Sequence, residues 1–570
     1  MNSIWIVIFS MAVFFLAYRF YGKFIAKKIF KADPANPVPS EELRDDIDYV
    51  PTSKEVLFGH HFASIAGTGP IVGPAIAIIW GWVPALAWII LGSIFAGAVH
   101  DYASLIMSIR KRGETIGKLS SEVINPRVRT LFLTMILFAL WIVVAIFGMV
   151  IAIIFQMFPQ SVLPVWIQIP IAMIVGWLAY RKKYNITVLS VIAVALMYIS
   201  IFIGVHFPLV MPPIGGLNPM SIWIVILFAY AFIASVLPVW TLLQPRDYVN
   251  SHQLIIGITL MVLGVFFARP VMVAPVIQVA PQGAPPILPF LFITIACGAI
   301  SGFHSLVSSG TSSKQLRNEE DAKFISYGGM LTEGFLGVLV IVAVGAGIGM
   351  YVKGDGGQIL RGVAAWEYHY ASWEVAQGLT AKVTAFVNGS ANMLGALGIP
   401  LKYGQAIIGV LIASFAGTTL DTATRIQRYV VTELATDFRI KPLQGRYPAT
   451  AFAVLAAAAL AFSKGGGQGA LLLWPLFGTS NQMLAALVLL VATVYLIRKG
   501  YRCWPTVVPM LFMILTSSWA WVVSLQYFFI TSSYYRFVIA AILLVLEVWM
   551  IFEAIICVRS IHRVYNTPGV

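Results

Sequence analysis

The chain has 570 residues, of which only 11% are charged while 59% are hydrophobic. A soluble domain carries about 25% charged and roughly 45–50% apolar residues, so this sequence cannot wet the surface of a water-soluble body. A soluble enzyme, a nucleic-acid-binding protein and a disordered scaffold are excluded, and the formal net charge of +14 must be read by its distribution.

A helix needs about 20 apolar residues to cross about 30 Å of hydrocarbon. Segments that meet this demand lie near 3–18, 60–82, 84–109, 130–157, 164–180, 186–206, 221–243 and 254–276. Others follow near 288–310, 325–350, 402–424, 447–462, 470–497, 504–527 and 537–558, giving about 15 transmembrane segments. The stretch Ile4–Ala17 is followed, not preceded, by basic residues, so it reads as a retained first helix and not as a cleaved signal. The segment 447–462 is short, and the mixed stretch 363–395 has the composition of a re-entrant or surface helix.

With the N-terminus outside and the C-terminus inside, 30 of the 37 Lys and Arg residues fall in inner loops. They cluster at 19–54, 110–129, 181–183, 314–323, 425–446, 498–502 and 559–563, with Arg246 alone in its loop. That asymmetry is the positive-inside pattern, so the basic charge is topogenic and implies no nucleic-acid partner. Cys297, Cys503 and Cys557 lie in or beside apolar segments and form no disulfide framework.

Membrane helices that bind polar solutes interrupt themselves, because unwound backbone offers N–H and C=O groups at membrane depth. The stretch 59–74 reads GHHFASIAGTGPIVGP and 302–313 reads GFHSLVSSGTSS. Gly59, His61, Gly67 and Thr68 match Gly302, His304, Gly310 and Thr311 in spacing, and the topology runs the two stretches in opposite directions. Five crossings begin at 60 and five more at 288, as an inverted repeat requires. The expected units are 1–57 (first helix and inner loop), 58–210 (first repeat), 211–287 (an inserted helix pair), 288–500 (second repeat with outer loop 351–401) and 501–570 (two last helices). Glycine and serine also let helices approach closely without any site.

Substrate is expected at the two interruptions, on Ser64, Gly67, Thr68 and Gly69 and on Ser308, Ser309, Gly310 and Thr311. Ionisable groups in hydrocarbon default to function, which makes His61, His100, Asp101, His304 and Glu333 the proton-coupling candidates. A buried histidine bonded to a carbonyl is the competing reading for each one. Ser414, Thr418 and Thr419 offer hard oxygens for Na⁺, against the alternative that they bond back to their own helix. Asp421 with Arg425 four residues on reads as an interfacial ion pair, and Glu547 as either a subunit contact or a lipid-facing acid. No metal site is expected, since His60 and His61, like His100 and Asp101, are neighbours that diverge on a helix; no phosphate loop, HExxH or CxxC occurs.

The stretches FGHHFASIAGTGPIVGPA (58–75), WTLLQPRDYVNS (240–251), SGFHSLVSSGTSSKQ (301–315), FAGTTLDTATRIQRY (415–429) and WPLFGTSNQ (474–482) carry a resemblance. Over essentially its whole length the chain resembles the carbon starvation protein A (CstA) family. The resemblance implies an inner-membrane secondary transporter of the amino acid–polyamine–organocation superfamily. Its fold would be all-α and polytopic, with a leucine-transporter-like core of five plus five helices. It implies import of short peptides or pyruvate under carbon starvation, with proton coupling as the usual assignment, no cofactor, and no enzymatic role. The positions it carries over are His61, Ser64, Gly67, Thr68, His304, Ser308, Ser309, Gly310, Thr311, Thr418 and Thr419. Partners are then a small-molecule substrate and the lipid bilayer; the sequence carries no signal of oligomeric state. Two readings of other classes stand beside this one: a membrane-embedded haem- or metal-holding enzyme, and a passive channel.

Overall fold

The structure is a computed structural model that describes residues 1–354, 356–467 and 469–566. Apolar helices dominate it. In chain order they are α1 (Ser3–Ile29), α2 (Lys54–Ile65), α3 (Gly69–Trp80), α4 (Trp82–Ile109), α5 (Pro126–Met157), α6 (Pro159–Arg181), α7 (Ile186–His206), α8 (Pro219–Val236) and α9 (Leu243–Ala268). There follow α10 (Ile287–Thr294), α11 (Gly302–Gly310), α12 (Glu319–Met350), α13 (Leu379–Gly395), α14 (Leu401–Asp437), α15 (Arg446–Ala461), α16 (Gly469–Arg498), α17 (Trp504–Ile530) and α18 (Tyr534–Ile561).

Local chemistry sets several starts. Asn125, Asn185 and Asn218 each accept backbone N–H groups at the head of α5, α7 and α8, and Pro126 and Pro219 occupy the first helical positions. An asparagine cap satisfies donors that the first turn leaves free, and proline there sacrifices no hydrogen bond. At the other end of α9, Arg269 takes the left-handed conformation (φ 48°) that stops a helix.

Among the described residues twelve helices are long and apolar enough to cross a bilayer, and thirteen spans result when the bent pair α2–α3 counts as one. The chain is a multi-pass membrane protein. The other two expected crossings are α15, with 16 residues, and the interrupted pair α10–α11. The stretch 363–395 contributes the buried helix α13 and a short helix Val363–Tyr370.

Burial divides the bundle into two shells. The most apolar windows of α5, α12, α14 and α16 are 83–94% buried, whereas those of α1, α6, α7, α8, α9, α17 and α18 are only 28–44% buried. The exposed faces of the outer shell carry Phe15, Ile174, Phe202, Leu515 and Phe552, side chains that lipid tails solvate and water does not.

The basic segments converge on one end. Lys27 pairs with Glu320, Arg110 with Glu319, Arg129 with Asp437 and Arg425 with Asp48, while Lys314 lies over the rings of Tyr49 and Tyr429. Arg246 is the exception and corrects its placement as a loop residue. Helix α9 starts at Leu243, eleven residues before the expected crossing at 254, and carries Arg246 buried inside the bundle.

Candidate functional site

The first interruption spans Ala66–Thr68 between α2 and α3, which meet at a bend of 47°. The second spans Ile295–Ser301 between α10 and α11, with Gly298 at φ +92°. This corrects the expected break at 308–311. Ser308, Ser309 and Gly310 are helical, and hydroxyls there bond back to carbonyls one turn earlier: Ser309 to Ser305 O at 2.7 Å and Thr311 to Val307 O at 3.0 Å. Ser309 Oγ also accepts the Ile116 N–H (3.1 Å), and Ser308 Oγ is buried without a partner. The matched motif therefore does not align the two breaks: Gly59 and His61 precede one, while Gly302 and His304 follow the other.

The two broken segments nevertheless run antiparallel and touch. Thr52, before α2, donates its N–H to Gln315 O after α11 (2.9 Å), and Trp80, closing α3, donates its indole N–H to Pro285 O before α10 (3.2 Å). At the centre a Cβ on Gly69 would fall 2.4 Å from the Cβ of Cys297, and one on Gly73 would fall 2.5 Å from Thr294 O. Only glycine permits so close an approach.

Helix α4 reaches the second break through a π-turn at Ser93–Gly97, a local register change frequent at functional sites. Ser93 Oγ donates to Gly298 O at 2.9 Å. One turn further, Asp101 bridges two imidazoles: Oδ1 lies 2.7 Å from His100 Nδ1, and Oδ2 lies 2.9 Å from His304 Nδ1. The other face of His304 meets Glu333 of α12, with Nε2 and Oε2 3.2 Å apart but not aligned for a hydrogen bond. Glu333 in turn faces the Gly298 amide of the break. His61 completes the group, its Nδ1 2.8 Å from Ser312 Oγ and its ring against Gly329, one turn before Glu333. Thus all five coupling candidates form one buried cluster.

A second cluster lies behind His61. His60 Nδ1 is 2.6 Å from Asp247 Oδ2, and Arg246 donates to Asp247 Oδ1 (2.7 Å) and to Asp421 Oδ1 (3.1 Å). Tyr230 donates to Asp421 Oδ2 at 2.9 Å. Asp421 is thus not the partner of Arg425, because α8 and α9 bring Tyr230 and Arg246 into range. Arg425 instead donates to Asp48 and to the carbonyls of Ala234 and Leu237. Glu547 is likewise internal, accepting the Ser517 hydroxyl at 2.7 Å between α17 and α18.

The ion candidates separate. Thr419 donates to Ser64 O (3.2 Å) and presses on Gly67, whose Cβ would lie 2.6 Å from its Oγ1. Ser64 Oγ lies 3.4 Å from Thr422 Oγ1. Thr418 faces the opposite way, accepting from Asn250 Nδ2 at 2.9 Å, and Ser414 borders a crevice with Gln168, Tyr230 and Gly417. Adjacent helical positions point about 100° apart, so the trio does not converge on one point. Among the described residues no three His, Cys, Asp or Glu side chains are grouped to hold a metal ion.

Asn481 joins the candidate site and was not among the residues the sequence singled out. Its Oδ1 accepts the Phe303 N–H at the head of α11 (3.0 Å) and lies 3.2 Å from Ser301 Oγ. It borders a narrow, water-sized cavity of about 10 Å³ with Ala139, Val143, Phe303, Phe477 and Ser480. Its signal was present in the WPLFGTSNQ stretch, which carried a family likeness but no charge to draw attention.

A family model described as "Carbon starvation protein CstA" matches residues 2–520. The chain belongs to the CstA family. Relatives include the pyruvate/proton symporter BtsT of Escherichia coli K12, 33% identical over 91% of this chain and 81% of its own. The peptide transporter CstA of the same strain shows the same identity and coverage. The peptide transporter CstA of Bacillus subtilis is also 33% identical, over 91% of this chain and 90% of its own. The chain is a membrane transporter, not an enzyme. A solved manganese transporter from Eremococcus coleocola overlays 91% of this chain and 99% of its own at 13% identity, with a TM-score of only 0.45.

Proposed function

We propose that this CstA-family member is a proton-coupled secondary transporter that imports small carboxylate-bearing nutrients, pyruvate or short peptides, across the inner membrane. The observation that carries the reading is the buried group His100, Asp101, His304, Glu333 and His61 set against an interrupted helix. No Lys or Arg stands among the charged neighbours of its two carboxylates, so the cations at hand to balance them are protonated histidines. Protons on such coupled groups belong to the cluster and not to one residue. A change in hydration as the core rocks would load and unload it.

In this reading the chain crosses fifteen times with its N-terminus outside. Residues 58–210 and 288–500 form inverted five-helix repeats, 211–287 is an inserted pair, and 1–57 and 501–570 are peripheral units. Solute binds where the breaks meet, against Ser64, Gly67, Thr68 and Gly69 on one side and the start of α11 on the other. The hydroxyls of Ser308, Ser309 and Thr311 and the small Gly310 would shape the inner exit. Helix N-termini and freed amides favour an anion. Relatives named for pyruvate and for peptides stand at equal identity, and both solutes carry a carboxylate. Scavenging under carbon starvation fits the family name.

Sodium is the second reading, and Thr419 favours it: its oxygen and Ser64 O converge beside Gly67, hard ligands at an unwound helix. Purified protein in liposomes, offered labelled pyruvate or dialanine under a pH or a sodium gradient, separates the two. Uphill uptake is expected with the inside alkaline and no sodium difference. Uptake driven by sodium alone would replace the proton, and flux that no gradient drives uphill would make the chain a channel.

A further inference from the structure

Helix α13 covers the end of the bundle opposite the basic loops. Asn392 donates to Gly347 O (3.0 Å) and Tyr351 O (2.7 Å), and Gly389 lies so close to Ala343 that a Cβ would meet its carbonyl at 2.1 Å. In the first turn of α13 stands Lys382, only 5% exposed. Every other Lys or Arg at this end, Arg269, Lys353, Arg361, Lys402, Lys464 and Arg536, is exposed or half-buried.

No Asp or Glu among the described residues pairs with Lys382. Its Nζ instead faces the Trp474 ring, 5.3 Å from the centroid. A buried ammonium without a carboxylate is expensive, and a cation–π contact replaces only part of what is lost. Burial pushes the ammonium down to about 7, the mark of a cation short of a counter-charge. Packing of its four-carbon stem alone would not require the charged end to be buried, since lysine ordinarily extends it to water.

The direction in which Lys382 points is informative. Trp474 lies 5.9 Å from Phe477, ring to ring, and Phe477 borders the cavity that Asn481 and Phe303 line at the second break. Two packed aromatic rings, Trp474 and Phe477, therefore stand between the buried ammonium and the residues at the start of α11.

We infer that Lys382 is the recognition residue for the solute's carboxylate at the outer mouth, where the carboxylate replaces the Trp474 ring as partner of the ammonium on its way inward. This rests on the reading of the chain as a carboxylate importer and adds the residue that selects the charge. A charge-assisted hydrogen bond of this kind is about twice as strong as a neutral one.

The test is uptake of labelled pyruvate by K382M, K382Q and K382R in liposomes, with thermal unfolding in detergent as the second readout. The half-saturation concentration should rise about tenfold in K382M and K382Q, with K382R between them and the parent. The thermal midpoint of K382M should not fall, because methionine fills the same volume without the unpaired charge, whereas a residue of merely structural importance would lower it. Competition by uncharged pyruvamide should be equal in parent and K382M. An unchanged half-saturation concentration in K382M and K382Q overturns this inference alone. A parent protein that transports neither pyruvate nor dialanine under any gradient overturns the importer reading and this inference with it.

Discussion

Two buried charge clusters stand back to back on α2, and they are built on opposite principles. The His60 cluster is organised by Arg246, whose fork reaches Asp247 and Asp421, with Tyr230 and His60 closing the remaining positions. A guanidinium does not lose its proton in a protein, so this cluster holds α2, α8, α9 and α14 in one arrangement. In the His61 cluster Asp101 faces His100 and His304, and Glu333 faces His304 and Asp101, with no Lys or Arg among these neighbours. Several of its atoms, His61 Nε2, His100 Nε2 and both Glu333 oxygens, have no hydrogen-bond partner. Fixed charge suits a clamp, whereas titratable charge suits the coupling role proposed above.

The largest effect should come from breaking that distinction at the titratable cluster. Asp101→Asn removes the group that His100 and His304 share, and uphill pyruvate uptake should fall to background while the protein still folds, since an amide keeps the shape. Retained uphill uptake would return these groups to a purely structural role. At the clamp the consequence should be the reverse. Arg246→Leu leaves two carboxylates buried without their cation, a loss of about 3–5 kcal/mol, read as a drop in folded yield and thermal midpoint. Full stability in that variant would show that the clamp does not hold the helices together.

The contact between interruption and scaffold sharpens the comparison on a smaller scale. Gly67→Ala would place a methyl 2.6 Å from Thr419 Oγ1 and 2.8 Å from Phe147, costing roughly 1–3 kcal/mol of overpacking. Uptake should fall, and shortening Phe147 to leucine should restore part of it. Unaltered uptake and stability would mean that the first break is looser than this contact implies.

The smallest effect belongs to Asp48, in the loop at the basic end. Burial alone would raise its pKa, but Arg425, Lys314, Arg428 and the Tyr429 hydroxyl together hold it below the ordinary 3.8. A carboxyl depressed in the folded state contributes stability that is present above its unfolded pKa and is lost as pH falls through the folded value. Asp48→Asn should cost roughly 1–2 kcal/mol near neutrality and remove that acid-side dependence below about pH 3.8. An unchanged acid unfolding curve would show that Arg425 is served by the Ala234 and Leu237 carbonyls alone.

Much of this was legible in the sequence for a physical reason: apolar length and Lys/Arg placement report on lipid directly, residue by residue. The helices followed from that, the first break was marked by the run Gly67, Thr68, Gly69 and Pro70, and the five titratable residues stood out because charge is rare in hydrocarbon. What was not legible depends on which helices become neighbours. Asp421 looked paired with Arg425 because i,i+4 spacing is visible in a sequence, whereas the approach of Arg246 on another helix is not. The second break was misplaced for a related reason. Serines and threonines at 308–311 are ambiguous between an unwound stretch and a helix whose hydroxyls bond back, and only Gly298 with its positive φ marks the true interruption. Asn481, uncharged and remote in sequence, could be found only through the Phe303 amide that it satisfies.

The most direct measurement of the central claim compares Glu333→Gln with the parent protein in two assays on the same liposomes. Pyruvate counterflow needs binding and rocking but no proton gradient; uphill uptake needs both. The expected result is counterflow close to that of the parent with uphill uptake abolished, because glutamine preserves the contact with His304 and the Gly298 amide but cannot take up or release a proton. Uphill uptake of parental size in this variant, with its dependence on the pH gradient intact, would contradict the assignment of the coupling proton to this cluster.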